Sequence, residues 1–123
     1  MKILVCGGRN FHDMDMLKRT LDTVHGFVDC NPKACEDNIT TIISGHARGA
    51  DQLGESYATQ MGVGLEVYRA EWDIYGKSAG YKRNMRMLVE GQPDLVIAFP
   101  GGRGTAMMVR IAKEADVDVM EVS

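Results

Sequence analysis

The stretch KILVCGG at residues 2–8 decides the fold of this chain. A short apolar run with branched side chains, ended at once by two glycines, is typical of a buried strand that turns sharply at its carboxyl end. We predict a strand over Lys2–Cys6 and, after it, a helix that Asp13 caps and that carries Leu17 and Leu21 on its apolar stripe. The chain therefore opens with a strand followed by a helix.

The same alternation continues to the end of the chain. Strands are predicted at 39–43, 65–68, 95–99 and 117–122. Helices are predicted at 50–61, from 78 or 79 to just before 91, and at 105–115. Strands that alternate with helices of this length imply a mainly parallel sheet with right-handed crossovers. The predicted fold class is α/β: a single three-layer domain over residues 1–123, Rossmann-like, with a mainly parallel five-stranded sheet and helices on both faces.

Two details of this prediction are specific enough to test. Residues 27–38, which contain Asn31-Pro32 and several acidic residues, are predicted to form a long loop. In the third helix, Tyr81, Met85 and Leu88 recur at helical spacing and are predicted to line its buried face.

Length and charge limit the functions that the chain can have. Its 123 residues suit one domain that buries its own core, and no apolar run approaches the ~20 residues that span a bilayer. The 14 Lys and Arg residues against 17 Asp and Glu residues give a formal net charge of −3. Proteins that hold nucleic-acid phosphates carry a basic excess or a basic face. We expect a cytoplasmic protein with no membrane partner, and the charge argues against a nucleic-acid partner.

The three cysteines predict neither a disulfide nor a metal site. Cys6 lies in an apolar run and fits a small buried residue. Cys30 and Cys35 form a lone pair, without the second Cys or His pair that a zinc site requires. We expect reduced thiols, no metal and no bound cofactor.

Glycines stand next to arginines in three of the loops that follow strands: GGRNF at 7–11, SGHARGAD at 44–51 and PGGRGT at 100–105. In an open parallel sheet these loops share one edge, where ligands bind. Glycine lets backbone N–H groups approach an anion, helix N-termini add partial positive charge, and arginine matches the geometry of phosphate. Six of the 14 basic residues lie in these loops or near the start of the third helix: Arg9, Arg48, Lys77, Lys82, Arg83 and Arg103. The pattern predicts a phosphate-bearing ligand.

The spacing of these glycines excludes two common phosphate-binding motifs. The first loop lacks the third glycine of the dinucleotide fingerprint, and Gly104-Thr105 lacks the lysine of a Walker loop. Generic dehydrogenase and nucleotide-triphosphatase functions are therefore disfavoured.

The same three loops, together with AGYKRNM at 79–85 and extended to Ala106, resemble the motifs of the YspA-like branch of the SLOG superfamily. That superfamily includes the LOG phosphoribohydrolases and the DNA-processing protein DprA. The resemblance implies a Rossmann-like fold with strand order 3-2-1-4-5, a nucleotide or nucleotide-derived ligand such as ADP-ribose, and a homo-oligomer, with a dimer expected by analogy to LOG relatives. It also implies that Arg83 matches an arginine of the LOG enzymes.

Two departures from the family motifs concern catalysis. Met108 occupies the position of the catalytic LOG glutamate, and Asn10 stands where the YspA-like motif carries aspartate. Both changes preserve binding better than hydrolysis, because two carboxylates that could orient water or steady a cationic transition state are missing. Three other residues are left as catalytic candidates: Asp51, Glu71 and His46, the last of which replaces a glycine usual in the family.

The ligand-binding candidates are the glycines, the arginines and a few polar neighbours of these loops. The resemblance suggests phosphate contacts from the arginines and backbone N–H groups, ribose contacts from Asp51, Asn10 and Ser44, and a base on Trp72 or Phe11. Trp72 could equally form a lid over the core. The candidate set is Gly7, Gly8, Arg9, Asn10, Ser44, Gly45, Arg48, Asp51, Trp72, Arg83, Gly101, Gly102, Arg103, Gly104 and Thr105.

Three functions are compatible with these residues. The chain could bind a small nucleotide-derived ligand as a sensor or sequestering protein. It could also be a hydrolase of N-glycosidic or phosphate bonds, with an acid–base group from Asp51, Glu71 or His46. Binding of single-stranded DNA, as in DprA, fits the net charge and the small size least well. The missing LOG glutamate favours binding.

Overall fold

The computed structural model describes residues 1–24 and 39–123. The predicted loop at 27–38 lies outside the described residues, as do Cys30 and Cys35. No helix of the described part is long and apolar enough to cross a membrane.

The described residues form one five-stranded sheet in which every neighbouring pair is parallel. Its strands are β1 (Lys2–Cys6), β2 (Thr41–Ser44), β3 (Gly64–Val67), β4 (Leu95–Ala98) and β5 (Asp118–Glu121), in the order β3-β2-β1-β4-β5. The predicted α/β class and strand order are confirmed. β2 and β4 lie on either side of β1, where the strand order reverses. Because the strands are parallel, the loops that follow β1, β2 and β4 meet at one edge of the sheet.

Alternation along β1 divides the core between the two faces of the sheet. Ile3 and Val5 belong to one buried cluster and Leu4 and Cys6 to the other, because successive side chains of a strand point to opposite faces. The helices α1 (Met14–Val24) and α2 (Ala50–Met61) contribute to the first cluster. The helices α4 (Ala79–Val89) and α5 (Arg103–Glu114) contribute to the second. The result is the expected three-layer arrangement, and Cys6 is buried as predicted.

Residues 72–78, predicted as a loop, instead contain the short helix α3 (Trp72–Tyr75) and a 3₁₀ turn (Gly76–Ser78). Neither element buries a residue, so the apolar periodicity that reveals longer helices is absent. The predicted inward face of α4 was also partly wrong, because Tyr81 is 46% exposed while Asn84 is buried. A polar residue therefore occupies an inward position of α4, next to the site described below.

Candidate functional site

Hydrogen bonds tie together the loops that follow β1, β2 and β4. The N–H of Gly8 donates to the carbonyl of Pro100 at 2.9 Å, and the N–H of Ala50 donates to the carbonyl of Gly8 at 3.3 Å. Gly49 has a φ of 91°, and a side chain there would collide with the Gly8 carbonyl oxygen. Gly8 and Gly49 therefore allow loops to pack against each other. The N–H of Gly8, which was expected to face the ligand, is already used within the protein.

Two adjoining pockets open at this edge of the sheet. We call them the inner cleft, of about 370 Å³, and the outer pocket, of about 450 Å³. Both volumes are in the range of small-molecule sites. The pockets share four lining residues, Arg9, Ala47, Trp72 and Arg83. A ligand could therefore extend from one pocket into the other.

The arginines predicted from separate loops converge on these pockets. Arg9 and Arg83 line both, Arg48 lines the outer pocket, and Arg103 lines the inner cleft. Arg69, which lies two residues after the end of β3 and has no glycine beside it, also lines the outer pocket; sequence reasoning missed it. Within residues 1–24 and 39–123, no ion pair joins any of the five to a carboxylate. Their charges are available to an anion.

Arg83 is held in place at the boundary of the two pockets by Gly45 and Asn84. Its guanidinium donates to the Gly45 carbonyl at 3.4 Å and to Asn84 Oδ1 at 3.3 Å. A side chain at Gly45 would approach both Arg83 and Asp51 to 3.0 Å. Gly45 therefore matters for packing, since its missing side chain lets the arginine lie across the loop.

Among the described residues, Asp51 is the one carboxylate that lines the inner cleft, and it is 6% exposed. Burial raises its pKa to about 6, although the N–H of Ala47, which donates to Oδ2 at 3.2 Å, and the nearby charge of Arg83 lower it. A carboxyl group that titrates near neutrality can accept or donate a proton. Asp51 thus keeps both predicted roles open, ribose contact and acid–base group.

The N-terminus of α5 also opens into the inner cleft. Gly102, Arg103, Gly104 and Thr105 line it, no side chain caps the helix, and its first turn has no acidic residue. The first turn of α2, by contrast, holds Asp51. Because a helix N-terminus carries partial positive charge, α5 offers an uncompensated end to an anion. Gly102 and Gly104 have open space beside them, so the backbone there is accessible.

An apolar floor closes the inner cleft below these polar groups. Cys6, Met87, Met107 and Met108 line it, and Met108 is almost fully buried. Burial raises the pKa of the Cys6 thiol to about 12, so it remains protonated and is a poor nucleophile. Asn84, buried beside Arg83, adds an amide to this floor. Sequence reasoning missed Asn84, because a polar residue in an amphipathic helix suggests an exposed position.

Two predicted ribose contacts are placed elsewhere. Ser44 is fully buried, and its hydroxyl lies 2.9 Å from Glu55 Oε2 and accepts the N–H of His46 at 3.0 Å. Asn10 lines neither pocket, and its Oδ1 accepts from Arg48 Nη2 at 3.4 Å. Strand ends and glycine loops predicted the neighbourhood of these side chains but not their direction. Ser44 accepts a hydrogen bond from His46 and Asn10 accepts one from Arg48, so both contact residues that line the outer pocket.

His46 lines the outer pocket and is oriented by Glu55, a residue that sequence reasoning missed. Its Nδ1 lies 2.9 Å from Glu55 Oε2. A carboxylate can only accept, so Nδ1 carries a proton and donates it to Glu55. The φ of His46 is 60°. A left-handed backbone at this position explains why the resembling motifs carry glycine there.

The structure places the three remaining candidates, two aromatic and one acidic, in different surroundings. Trp72 is 49% exposed and lines both pockets, so it covers the site and not the core. Phe11 packs against Phe99 with ring centroids 5.1 Å apart and contributes to the core. Glu71 lines a different groove, formed with Tyr75, Tyr81 and Lys82 among others. The structure does not bring Glu71 to the arginines.

Comparison with known proteins relates the chain to a sequence family, a phage protein and a solved structure. The sequence model of the YspA, cpYpsA-related SLOG family matches residues 1–75, which include the loops after β1 and β2 but not Arg83 or the loop after β4. The Gene 61 protein of Mycobacterium phage D29 is 38% identical over 86 residues, or 64% of this chain and 68% of that protein. The X-ray structure of DNA processing protein A (DprA) from Streptococcus pneumoniae superposes with a TM-score of 0.68 at 19% identity, over 99% of this chain and 50% of DprA. This chain thus spans half the length of DprA, and the likeness concerns the fold.

Proposed function

Since this chain belongs to the YspA, cpYpsA-related SLOG family, we propose that its residues 1–123 form one domain that binds a phosphorylated, nucleotide-derived ligand in the inner cleft. The observation that carries the proposal is the convergence of Arg9, Arg83 and Arg103, none of which forms an ion pair in the described part of the chain, on an uncapped helix N-terminus. Guanidinium groups beside the N–H groups of an uncapped helix N-terminus favour a phosphoryl dianion.

The remaining surface of the inner cleft suits a nucleoside. The sulfur-rich floor of Met87, Met107 and Met108 gives a base or sugar an apolar contact, because thioethers pack well against aromatic rings. Asp51 and Asn84 supply an acceptor and an amide beside this floor. Trp72, exposed at the boundary of the pockets, can stack on a base.

Binding without turnover, as a sensor or sequestering protein, is the function that we favour. Met108 stands at the position of the LOG glutamate and is buried against the apolar floor. No acid–base group is therefore available from that position.

Hydrolysis of an N-glycosidic or phosphate bond is the second candidate, because the raised pKa of Asp51, about 6, suits a general acid or base. In this alternative Asp51 would take a proton from water in the inner cleft. His46 could act in the outer pocket, with Glu55 as its positioning residue.

One experiment separates these outcomes. The purified protein is mixed with nucleoside monophosphates, nucleoside diphosphates, NAD, ADP-ribose and a thymidine oligonucleotide; thermal unfolding is recorded, and the denatured supernatant is analysed by liquid chromatography. Intact ligand recovered from a stabilised protein supports binding. New products that disappear in Asp51→Asn support hydrolysis. No stabilisation by any nucleotide would refute the proposal, and stabilisation by the oligonucleotide alone would favour DNA binding.

Arg83→Gln tests the location of the site. We expect the dissociation constant of the best ligand to rise about 10- to 100-fold, the loss of one charge-assisted contact of about 1.5–3 kcal/mol. Arg110→Gln is the matched control, because Arg110 is exposed on α5 and lines neither pocket. Equal affinity in Arg83→Gln and wild type would remove Arg83 from the site. Size-exclusion chromatography of the same samples tests the expected dimer.

A further inference from the structure

The outer pocket is more strongly cationic than one phosphate requires. Four guanidinium groups line it, those of Arg9, Arg48, Arg69 and Arg83. None of the other described residues that line it is acidic: Gly45, His46, Ala47, Ala70 and Trp72. The acidic neighbour Glu55 touches His46 but does not line the pocket. Elsewhere on the described surface, Arg86 and Lys113 are paired with Glu90 and Glu121.

These charges repel one another when the pocket is empty. Burial lowers the pKa of the Arg83 guanidinium, and the charge of Arg9 lowers it further, against the opposing effect of Asp51. Arg9, Arg48 and Arg69 are exposed and solvent screens their repulsion, so the repulsion is strongest at the half-buried Arg83, where a bound anion would relieve it. The arrangement therefore indicates an anionic occupant of the outer pocket.

The charges divide between the two pockets in a way that suggests how many phosphoryl groups bind. Arg9, Arg83 and Arg103 line the inner cleft together with Asp51, so three positive charges and one negative charge leave two net positive charges when Asp51 is ionised. One phosphoryl dianion of about −2 balances them. The outer pocket adds Arg48 and Arg69, two further positive charges that a single phosphoryl group would leave uncompensated.

We propose that the outer pocket is a second anion subsite that holds another phosphoryl group of the same ligand, so that the ligand class is the nucleoside diphosphates and their esters, not the monophosphates. The inference rests on the proposed function and specifies its ligand. Arg9 and Arg83, which line both pockets, contact both phosphoryl groups, and Trp72 lies over the connection. Arg69 and Arg48 contact the outer phosphoryl group alone, so they determine the preference for a diphosphate over a monophosphate.

The test compares matched ligands that differ by one phosphoryl group. Dissociation constants are measured by isothermal titration calorimetry for AMP and ADP, GMP and GDP, CMP and CDP, and UMP and UDP, so that the result does not depend on the base. For the best base we expect the diphosphate to bind wild type about tenfold or more tightly than the monophosphate. In Arg69→Gln this preference should shrink about five- to tenfold, with the monophosphate affinity changed by less than about twofold, because Arg69 is exposed and its contact is partly screened.

Arg110→Gln, which removes the same charge at an exposed residue that lines neither pocket, should leave the preference intact. Equal affinity of wild type for mono- and diphosphates would overturn the second subsite while leaving the proposed function standing. A loss of affinity for both ligands in Arg69→Gln would also overturn it, because Arg69 would then contact the first phosphoryl group. Absence of binding by all eight nucleotides would refute the proposed function, and with it this inference.

Discussion

Asp51→Asn should stabilise the protein, and it should do so only where Asp51 is ionised. Burial holds the pKa of this carboxyl at about 6 in the folded chain, against an ordinary value of 3.8. At about 1.4 kcal/mol per pH unit, the ionised form lowers the stability of the folded state by about 3 kcal/mol. Asparagine keeps an acceptor for the N–H of Ala47 but loses the attraction to Arg83. We therefore expect a net gain of about 1–3 kcal/mol.

The sign of the pH dependence follows from the direction of the shift. A carboxyl whose pKa is higher in the folded state than in the unfolded state favours folding at low pH. That contribution is complete below about pH 4 and is lost as the pH rises through about 6. Substitution by asparagine removes this dependence. The advantage of the variant should therefore be small at about pH 4 and largest above about pH 7.

Urea unfolding of wild type and Asp51→Asn, at about pH 4.5, 6 and 8, measures the difference directly. The other titrating groups cancel between the two proteins, so the difference reports Asp51 alone. A gain of 1–3 kcal/mol corresponds to a rise in melting temperature of about 4–12 °C for a chain of this size. A variant that is less stable at every pH, or equally stabilised at all three, would refute the argument.

Three further predictions concern the loops and the charge of the cleft. Gly49→Ala should lower the free energy of unfolding by about 3 kcal/mol or more, because its φ is 91° and a side chain would collide with the Gly8 carbonyl; a melting temperature within about 2 °C of wild type would contradict this. His46→Gly should be more stable than His46→Ala by about 1 kcal/mol, since the φ of 60° strains alanine while both variants lose the contact with Glu55; chemical denaturation of the pair decides it, and equal stability would show that the backbone is relaxed in alanine. The affinity for a diphosphate diester, whose own charge is constant over this range, should rise several-fold from about pH 7.5 to about pH 5 as Asp51 becomes neutral. In Asp51→Asn the affinity should not change with pH. Titration calorimetry that finds the same pH dependence in both proteins would assign the effect to another group.

The parallel architecture was predictable because each long element carries its own signal. The run at Lys2–Cys6 and the helix Ala50–Met61 have the predicted bounds, since both begin and end at a glycine or at a change in polarity. The short helix Trp72–Tyr75 has a single turn and no buried residue, so no pattern indicates it. In α4, an apolar Tyr81 faces outward while Asn84 faces inward, because the cleft, and not the core alone, determines that face.

The position of the site in the fold was predictable from the sequence, but its individual contacts were not. Glycine loops at the carboxyl ends of parallel strands fix which arginines share an edge, which is why Arg9, Arg48 and Arg103 line the two pockets. The helix α4 brings Arg83 to the same edge. Arg69 carries no such signal. The direction of the Ser44 hydroxyl depends on Glu55, a partner eleven residues away, and no local spacing reveals that pairing. The glycine at position 8 serves the contact between loops, which sequence cannot distinguish from contact with a ligand.

The position of phosphorus in a crystal structure of the protein with its tightest nucleotide tests the central claim most directly. The expected result is a phosphoryl group in the inner cleft, hydrogen-bonded to the Arg83 guanidinium and to N–H groups at the start of α5, with phosphorus about 4 Å from the guanidinium carbon. A nucleotide bound elsewhere on the surface, or one whose phosphoryl groups point away from these arginines into solvent, would contradict the account.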